Sequence, residues 1–446
     1  MIIAKFGGTS VQDAAAIRRL VAIVGARRAD RPVVVVSAMA KVTDGLLTVG
    51  RHAEAGDTAA MEDALARLVG RHHREAEALG AADASPLIDA EAAALEQWLW
   101  AAAGRPLTPR ETDLLVSHGE LWSSRVVALA FAAAGLPAAW VDARQVMVTD
   151  DRFGRALPQR ALLRERAQRL VAPLVAKGEV PVTQGFIGAT ADGAVTTLGR
   201  GGSDFTASLL GAALDAARVE IWTDVDGLMT ADPRLVPDAQ VLPAASYEEA
   251  AELAVFGAKV LHPATQLPVV ERSIPLVILN SARPELPGTI IGPDLPDAAA
   301  TRVRSISWKP GVSIVHTRAP RMLGAYGFLR AMFEVFERHE VPVDVLASSE
   351  VSVSCTIDGT SRLPALLEDL QALGETRIEH GRAIVAVVGT AIGATPGVAA
   401  AVLGAVGDIN VEMISQGASS INMTFVVREA DGPEAVRRLH RAFFGR

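Results

Sequence analysis

Gly199-Arg-Gly-Gly-Ser-Asp204 is a glycine-rich stretch between a strand-like run and a helix-like run. Residues 194–198 have the composition of a short strand, and residues 205–216 that of a helix. In an α/β protein such a turn lets the backbone approach a ligand, and Arg200 and Asp204 add charges suited to an anion site. A tight surface turn has the same composition, so the rest of the chain must decide between these two interpretations.

Short apolar runs and helical stretches alternate over the first 280 residues. The runs that have the length of buried strands are 2–4, 33–36, 138–141, 180–183, 219–223 and 276–279. Residues 57–134 are almost wholly helical in pattern, which indicates a long helical insertion over one face. Strands that alternate with helices are typical of a parallel sheet covered by helices, so we predict an α/β fold for this part.

A cluster of prolines and glycines between residues 284 and 296 indicates a linker and a domain boundary near residue 295. Beyond it, residues 341–357 and 409–425 place apolar residues in matching register. Each segment has a strand and a helix before it and a helix after it, which predicts two βαββαβ modules in tandem. Such modules commonly pair edge to edge, and two copies beside a larger domain favour a regulatory ligand site. Ordinary turn chemistry is the alternative for their junctions.

Composition excludes several classes of protein. The 446 residues are 50% hydrophobic and 21% charged, as in an ordinary globular protein. The net charge of −8, without a basic block, argues against nucleic acid as a partner. Cys355 is the single cysteine, which excludes an internal disulfide and a multi-cysteine metal site. No run is long and apolar enough for a membrane span, and the first residues lack a signal-peptide pattern, so we expect a cytoplasmic protein.

Several further motifs carry charged or hydroxyl side chains, either at predicted strand ends or, at 117–120 and 257–263, on predicted helices. Lys5-Phe-Gly-Gly-Thr-Ser10 follows the first strand and has the amides and the cation of an anion site, although it matches neither a P-loop nor a dinucleotide fingerprint. The other motifs are 37–45, 117–120, 222–234 and 257–263. Each alone is compatible with a turn, a helix cap or a solvated charge. Together they favour a site for phosphate and carboxylate groups.

These motifs, in this order, resemble those of the aspartate kinases. Lys-Phe-Gly-Gly alone would indicate only the wider amino-acid kinase superfamily. The tail, with Gly-Phe-Leu at 327–329, Ser-Glu-Val-Ser at 349–352 and Gly-Ala-Ser-Ser at 417–420, resembles the paired ACT domains of the lysine-sensitive, monofunctional class. The resemblance spans the whole chain and implies a three-layer αβα, carbamate kinase-like domain followed by two ACT modules of ferredoxin-like fold. The implied bounds are 1–292 for the catalytic domain, 293–310 for the linker, and 311–381 and 382–446 for the modules.

The implied activity is ATP-dependent, Mg²⁺-dependent phosphorylation of the side-chain carboxylate of L-aspartate, the first step towards lysine, threonine and methionine. A carboxylate with a reference pKa of about 3.9 is already an anion at neutral pH, so this nucleophile needs positioning and charge relief rather than a general base. The catalytic residues that the resemblance implies are Lys5, Arg200, Asp204 and Lys259, with Asp204 orienting Lys5. The implied substrate-binding residues are Arg200 for the α-carboxylate, Glu120 for the ammonium, and Ser37, Thr43 and Ser203 around them.

The resemblance also implies a nucleotide site and an effector site, with no metal ligand from the protein itself. The implied ATP-binding residues are Lys5, Gly7, Gly8, Thr9, Thr223, Asp224, Met229, Arg234 and Lys259. The implied effector residues are Met322, Ala325, Phe328, Leu329, Val343, Asp344, Ser349 and Glu350. Met229 replaces a tyrosine that many relatives carry, and Ala325 replaces a serine of the lysine-responsive pattern. L-lysine is the expected effector, and a homodimer or tetramer is expected to form through the ACT modules.

Two other functions remain open from the sequence. Another acyl-phosphate-forming kinase, such as a glutamate kinase, would share the first-domain motifs, although the ACT-like tail argues against it. A catalytically silent amino-acid sensor would share the tail, but Lys5, Arg200, Asp204 and Lys259 argue against it. Asp344 and Glu350 are also compatible with ordinary exposed strand residues.

Overall fold

The computed structural model describes residues 1–256, 263–293, 303–324, 326–359 and 362–445, with the backbone alone at 263 and 264. The chain divides into two compact units. Unit 1 comprises Met1–Leu228, Pro243–Tyr247 and Val260–Leu295, and unit 2 comprises Met229–Leu242, Glu248–Lys259 and Pro296–Arg446. Unit 2 therefore includes two segments from within the predicted catalytic domain 1–292.

The strands before residue 293 form two sheets. They are β1 (Ile2–Phe6), β2 (Pro32–Val36), β3 (Ala138–Val141), β4 (Val148–Thr149), β5 (Val180–Gln184), β6 (Ile187–Thr190), β7 (Val195–Thr197), β8 (Arg218–Thr223), β9 (Ala244–Ser246), β10 (Leu276–Asn280) and β11 (Thr289–Gly292). The larger sheet has the order β3-β5-β2-β1-β8-β10-β11-β9, and its pairs are parallel except β10 with β11. Each of the six apolar runs identified in the sequence lies in this sheet.

Helices of the same region alternate with these strands along the chain. They are α1 (Ala14–Ala26), α2 (Val42–Glu54), α3 (Thr58–Ala78), α4 (Ala84–Ala102), α5 (Pro109–Ala133), α6 (Ala143–Val146), α7 (Arg160–Leu170), α8 (Ala172–Ala176), α9 (Gly202–Ala213), α10 (Tyr247–Phe256) and α11 (Pro263–Val270). The long helical region is α3, α4 and α5. Every residue of β1, β2 and β5 is buried, as expected for central parallel strands covered on both faces.

The glycine-rich turn at 199–204 follows a strand of the smaller sheet and leads into helix α9. The strand before it, β7, is not in the large sheet but in a smaller one of order β4-β6-β7, where it pairs antiparallel with β6. Helix α9 begins at Gly202, three residues earlier than predicted. Gly199 and Gly201 have φ angles of 76° and 72°, a left-handed conformation that glycine adopts without steric cost.

Unit 2 contains a second, antiparallel sheet. Its elements after residue 302 are β12 (Val303–Arg318), α12 (Phe328–Arg338), β13 (Val343–Ser348), β14 (Ser352–Asp358), α13 (Leu363–Gln371), β15 (Glu375–Gly389), α14 (Val398–Val406), β16 (Met413–Gln416), β17 (Asn422–Arg428) and α15 (Gly432–Phe444). The strand order is β13-β14-β12-β15-β17-β16. The elements of both predicted βαββαβ modules are therefore present, joined edge to edge within one chain.

The two modules are interleaved rather than strictly consecutive. The first half of β12, residues 303–309, pairs with the end of β15, whereas residues 312–318 pair with its beginning. The second module thus takes a strand from residues 303–309, which the sequence assigned to the linker 293–310. Pro310 and Gly311 form an irregularity within this continuous strand, where Gly311 has a φ of 77°. No helix in the described part of the chain is long and apolar enough to cross a membrane.

Candidate active site

The loops that follow β1, β2 and β8 meet at the carboxyl edge of the large sheet. Gly7 N–H donates to the Trp222 carbonyl at 3.1 Å, and Ala40 N–H donates to the Gly8 carbonyl at 3.1 Å. Ser37 N–H donates to the Phe6 carbonyl, also at 3.1 Å. Open α/β sheets bind their ligands at this edge, so the predicted motifs 5–10, 37–45 and 222–234 begin where a site is expected.

An ion pair joins the first strand to helix α9. Lys5 Nζ lies 2.6 Å from Asp204 Oδ1, with the two side chains only 10% and 13% exposed. An added Cβ on Gly7 would lie 3.5 Å from Lys5 Nζ, and one on Gly8 would lie 3.0 Å from the Ala38 carbonyl. Glycine thus leaves the space beside the ammonium open to a ligand. A fixed cation beside accessible backbone suits a phosphate group.

Glu120 is a buried carboxyl group beside the loop that follows β2. It lies in α5, is 3% exposed, and its Oε1 accepts a hydrogen bond from Ala38 N–H at 3.1 Å. Its Oε2 has no hydrogen-bond partner among the described residues. Burial raises the pKa of Glu120 to about 8, while the hydrogen bond from Ala38 opposes that rise. A buried carboxyl oxygen without a partner is well suited to receive the ammonium group of a ligand.

Gly119 explains how α5 comes so close to the loop after β2. A Cβ at this position would lie 2.9 Å from the Ala38 Cβ and 3.4 Å from Val42 Cγ1, so a larger residue would push the helix away. Ser123, one turn further along α5, donates its hydroxyl to the Ser37 carbonyl at 2.8 Å. The glycine beside Glu120 is therefore a packing requirement.

The first turn of α9 packs directly on the end of β5. A Cβ on Gly185 would lie 2.6 Å from the Ser203 Cβ, and Gly185 N–H donates to the Val36 carbonyl at 2.8 Å. Ser203 and Asp204 are thereby held beside the ends of β2 and β1. Arg200, in the turn before the helix, is exposed and makes no hydrogen bond or ion pair within the described part of the chain. Its guanidinium is thus available for an anionic ligand.

Asp113 is a buried residue that sequence reasoning missed. Its carboxylate accepts hydrogen bonds from Gly154 N–H at 2.8 Å, Thr197 N–H at 2.9 Å and Thr197 Oγ1 at 2.7 Å. Burial raises its pKa, and these three hydrogen bonds act in the opposite direction. Asp113 thereby fixes β7 two residues before the turn that carries Arg200. No local signal marks it, because its partners are 41 and 84 residues away.

The remaining predicted nucleotide residues are distributed over both units. In unit 1, Thr9 is exposed, and Thr223 Oγ1 donates to Asp224 Oδ1 at 3.2 Å at the end of β8. Asp226, which the sequence did not single out as a site residue, accepts from Asn280 Nδ2 at 2.6 Å there. In unit 2, Met229 is half-buried, and Arg234, with a side chain 86% exposed, forms an ion pair with Asp232. Lys259 lies outside the described residues.

The predicted effector residues lie in unit 2. Val343 and Asp344 are half-buried on β13, and Ser349 and Glu350 are exposed in the turn between β13 and β14. Met322 is in a short 3-10 turn, and Phe328 and Leu329 begin α12; Ala325 lies outside the described residues. Asp344 is engaged already, since its Oδ2 is 2.7 Å from Lys309 Nζ.

Comparisons with known proteins identify the family. Residues 1–280 match the amino acid kinase family, and residues 385–443 match an ACT domain. The chain is 38% identical to the lysine-sensitive aspartokinase 3 of Escherichia coli, over 100% of this chain and 99% of that protein. This chain belongs to the aspartate kinases. The enzyme is accordingly a phosphotransferase with a carboxyl group as acceptor.

Other aspartate kinases agree with this assignment. The chloroplastic aspartokinase 1 of Arabidopsis thaliana is 37% identical over 99% of this chain and 79% of that protein. A crystal structure of E. coli aspartokinase III in complex with aspartate and ADP superposes with a TM-score of 0.88 over the whole of both chains. The structure of the same protein in complex with lysine and aspartate superposes with a TM-score of 0.84, over 100% of this chain and 99% of that chain. The fold class expected from the sequence is thus confirmed.

Proposed function

We propose that this aspartate kinase transfers the terminal phosphoryl group of ATP to the side-chain carboxylate of L-aspartate at the edge of the large sheet in unit 1. The observation that carries the proposal is the buried Glu120, which has one carboxyl oxygen without a partner next to the loop at Ala38. An amino-acid substrate would supply the missing cation. The related E. coli enzyme has been crystallised with aspartate and ADP, which supports the same pair of ligands here.

Aspartate capture is assigned to groups of opposite charge. Glu120 would pair with the α-ammonium, and the exposed Arg200 with the α-carboxylate, which its planar guanidinium can bind through two parallel hydrogen bonds. Ser37, Thr43 and Ser203 would line the space between them. Since α-carboxylate and ammonium are both held, the side-chain carboxylate is the group left free to react. Its negative charge makes a general base unnecessary.

ATP binding is assigned to Lys5 and the glycine loop beside it. The Lys5 ammonium, oriented by Asp204, would neutralise charge on the transferred phosphoryl group, and Gly7 and Gly8 would let the backbone approach the phosphates. This reduces the repulsion between an anionic nucleophile and an anionic phosphate, the main barrier in such a transfer. The roles of Thr9, Thr223, Asp224, Met229, Arg234 and Lys259 in nucleotide binding stay predictions.

The expected Mg²⁺ ion fits a site in which the nucleotide supplies most of the ligands. Among the described residues no group of three or more His, Cys, Asp or Glu side chains is arranged to hold a metal ion. Mg²⁺ in kinase sites is usually bound by phosphates, waters and one or two carboxylates, and it supplies charge neutralisation between neighbouring phosphates. The resemblance implied no protein ligand, but Asp224, exposed at the end of β8, is the one carboxylate that we would add to the phosphates and waters.

Regulation by L-lysine is proposed for the ACT modules. The E. coli relative is named lysine-sensitive, and one of its structures contains lysine. In this chain Asp344 and Glu350 would receive the amino groups of lysine, beside Met322, Ala325, Phe328, Leu329, Val343 and Ser349. Assembly into a homodimer or tetramer through these modules, and a cytoplasmic location, stay predictions.

A hydroxylamine assay tests the catalytic proposal, because hydroxylamine converts an acyl phosphate into a stable hydroxamate. The protein is mixed with Mg-ATP and hydroxylamine, with either aspartate or glutamate as acceptor. We expect aspartyl hydroxamate in at least tenfold excess, since every 1.4 kcal/mol of preferential binding gives a factor of about ten. A predominance of glutamyl hydroxamate would favour a glutamate kinase, and lysine binding without any hydroxamate would favour a silent sensor.

A further inference from the structure

Lys309 holds two carboxylates of the first ACT module with one ammonium group. Its Nζ lies 2.7 Å from Asp344 Oδ2 and 2.8 Å from Asp358 Oδ1. Lys309 and Asp344 are 22% and 15% exposed, so their pair is largely shielded from solvent, whereas Asp358 is 54% exposed. Burial lowers the pKa of Lys309, but the hydrogen bonds and charges of the two aspartates outweigh it, and the net pKa is raised. Lys309 is therefore a cation at every physiological pH.

These three residues lie where the two interleaved modules meet. Lys309 is the last residue of β12 that pairs in register with the second module, opposite Ile384, before the irregularity at Pro310 and Gly311. Asp344 lies within an irregular part of β13, between Val343 and Leu346, in the first module. The ion pair thus connects the strand of one module to the proposed effector carboxylate of the other.

We propose that Lys309 is an internal competitor of the effector, because its ammonium occupies the carboxylate that a bound amino acid must use. This inference rests on the proposed effector site at Asp344. A cationic amino acid brings an ammonium of the same charge and geometry as the Lys309 ammonium. It must either displace Lys309 from Asp344 or share that carboxylate with it. Lys309 therefore sets the concentration at which an effector binds, and its release couples effector binding to the junction between the modules.

The change in effector affinity depends on the fraction of molecules in which Lys309 does not occupy the Asp344 carboxylate. An apparent dissociation constant equals the intrinsic one divided by the binding-competent fraction. If Lys309 leaves Asp344 open in about a tenth of the molecules, removing its charge tightens effector binding about tenfold. A residue that only holds the two strands together would have the opposite effect, because loosening the site would weaken binding.

Calorimetric titration of the full chain with L-lysine distinguishes these possibilities. We expect Lys309→Met to lower the dissociation constant about tenfold and Lys309→Arg, which keeps the cation, to leave it within about threefold of the wild-type value. Lys309→Gln, which retains a donor for Asp344, should also bind more tightly and serves if the methionine variant does not fold. Thermal melting followed by circular dichroism reports the folding of each variant.

Equal or weaker lysine binding by folded Lys309→Met and Lys309→Gln overturns the proposal. The proposal is also overturned if Lys309→Met tightens lysine binding equally when it is added to Asp344→Asn. The tightening would then not act through Asp344. If neither the wild type nor the two neutral variants bind lysine, both the role of Lys309 and the proposed effector are overturned. The hydroxamate assay of the wild type, run without lysine, reports independently on the catalytic function.

Discussion

At the scale of single residues, Glu120 is the most distinctive group of the candidate site, because it is buried and its Oε2 has no hydrogen-bond partner among the described residues. Glu120 could be identified from its motif, but its burial and its hydrogen bond from Ala38, 82 positions earlier in the chain, could not be read from the sequence. Arg200 was expected from its motif to bind the α-carboxylate of the substrate, and the structure leaves its side chain exposed. Asp113 was missed altogether because its hydrogen bonds are all long-range. Residue types are visible in sequence, but the environments that set their pKa and strength are not.

The raised pKa of Glu120 predicts a pH-dependent affinity for aspartate. With a pKa of about 8 the free carboxyl group is mostly protonated below pH 8, so binding an ammonium there must release a proton. We expect the KM for aspartate to fall as the pH rises from 6 to 8, by up to about tenfold per pH unit. Glu120→Gln cannot ionise and should show a higher KM without this slope. A variant that keeps the wild-type slope would contradict the role of Glu120.

The same pKa has a consequence for stability, which serves as a second readout of this variant. Because the folded-state pKa lies above the ordinary value of 4.5, the neutral carboxyl group stabilises the fold fully below pH 4.5. That contribution is lost as the pH rises through about 8. Without substrate, Glu120→Gln should therefore melt at a higher temperature than the wild type at pH 8.5, with a smaller difference at pH 6. An equal difference at both pH values would contradict the assignment.

Arg200→Ala should weaken aspartate binding without changing the fold. Because Arg200 is exposed, we expect a loss of ~1.5 to 3 kcal/mol, the range for hydrogen bonds to charged groups, rather than the larger cost of breaking a buried pair. This corresponds to an increase of about 10- to 100-fold in the KM for aspartate. Arg19→Ala, at an exposed position of α1, is the matched control. An unchanged KM in Arg200→Ala would remove Arg200 from the substrate site.

At the scale of elements, most strands and helices were predictable, and the exceptions have physical causes. The buried strands of the large sheet are continuous apolar runs, the strongest sequence signal for a parallel sheet. The sequence did not assign β7 to a sheet, because a three-residue strand carries no information about its partner. The first half of β12 fell within the implied linker 293–310, because its pairing with the distant strand β15 leaves no local signal in the sequence.

Gly119 makes the packing of α5 testable. Gly119→Ala would place a Cβ 2.9 Å from that of Ala38, and such overpacking costs about 1 to 3 kcal/mol, more than the ~1 kcal/mol that alanine gains in a helix. In Gly70→Ala, within α3, the added Cβ would contact only Arg74 Nη1, at 3.6 Å. This variant should therefore keep the ~1 kcal/mol that alanine gains in a helix. We expect the urea midpoint to fall in the first variant and to rise in the second. Equal midpoints for the two variants would contradict the close contact at Ala38.

At the scale of the whole molecule, the order of domains was predictable but their construction was not. The sequence predicted a catalytic domain followed by two modules, and the matches to an amino acid kinase and an ACT domain agree with that order. It did not predict that unit 2 takes in Met229–Leu242 and Glu248–Lys259 from within the first domain. Nor did it predict that one module is inserted between two strands of the other. Such interleaving depends on contacts between distant segments, which local patterns do not record.

The proposed phosphorylation of aspartate at Lys5 and Asp204 is tested by the rate of aspartyl hydroxamate formation in Lys5→Met. Methionine keeps most of the length of the side chain but removes the charge that we assign to the phosphate. Lys177→Met, at an exposed position that follows α8, is the matched control. We predict that the control keeps the wild-type rate and that Lys5→Met loses at least about 100-fold, the usual cost of removing one charge-stabilising group. A Lys5→Met enzyme that is folded and forms aspartyl hydroxamate at the wild-type rate would contradict the claim.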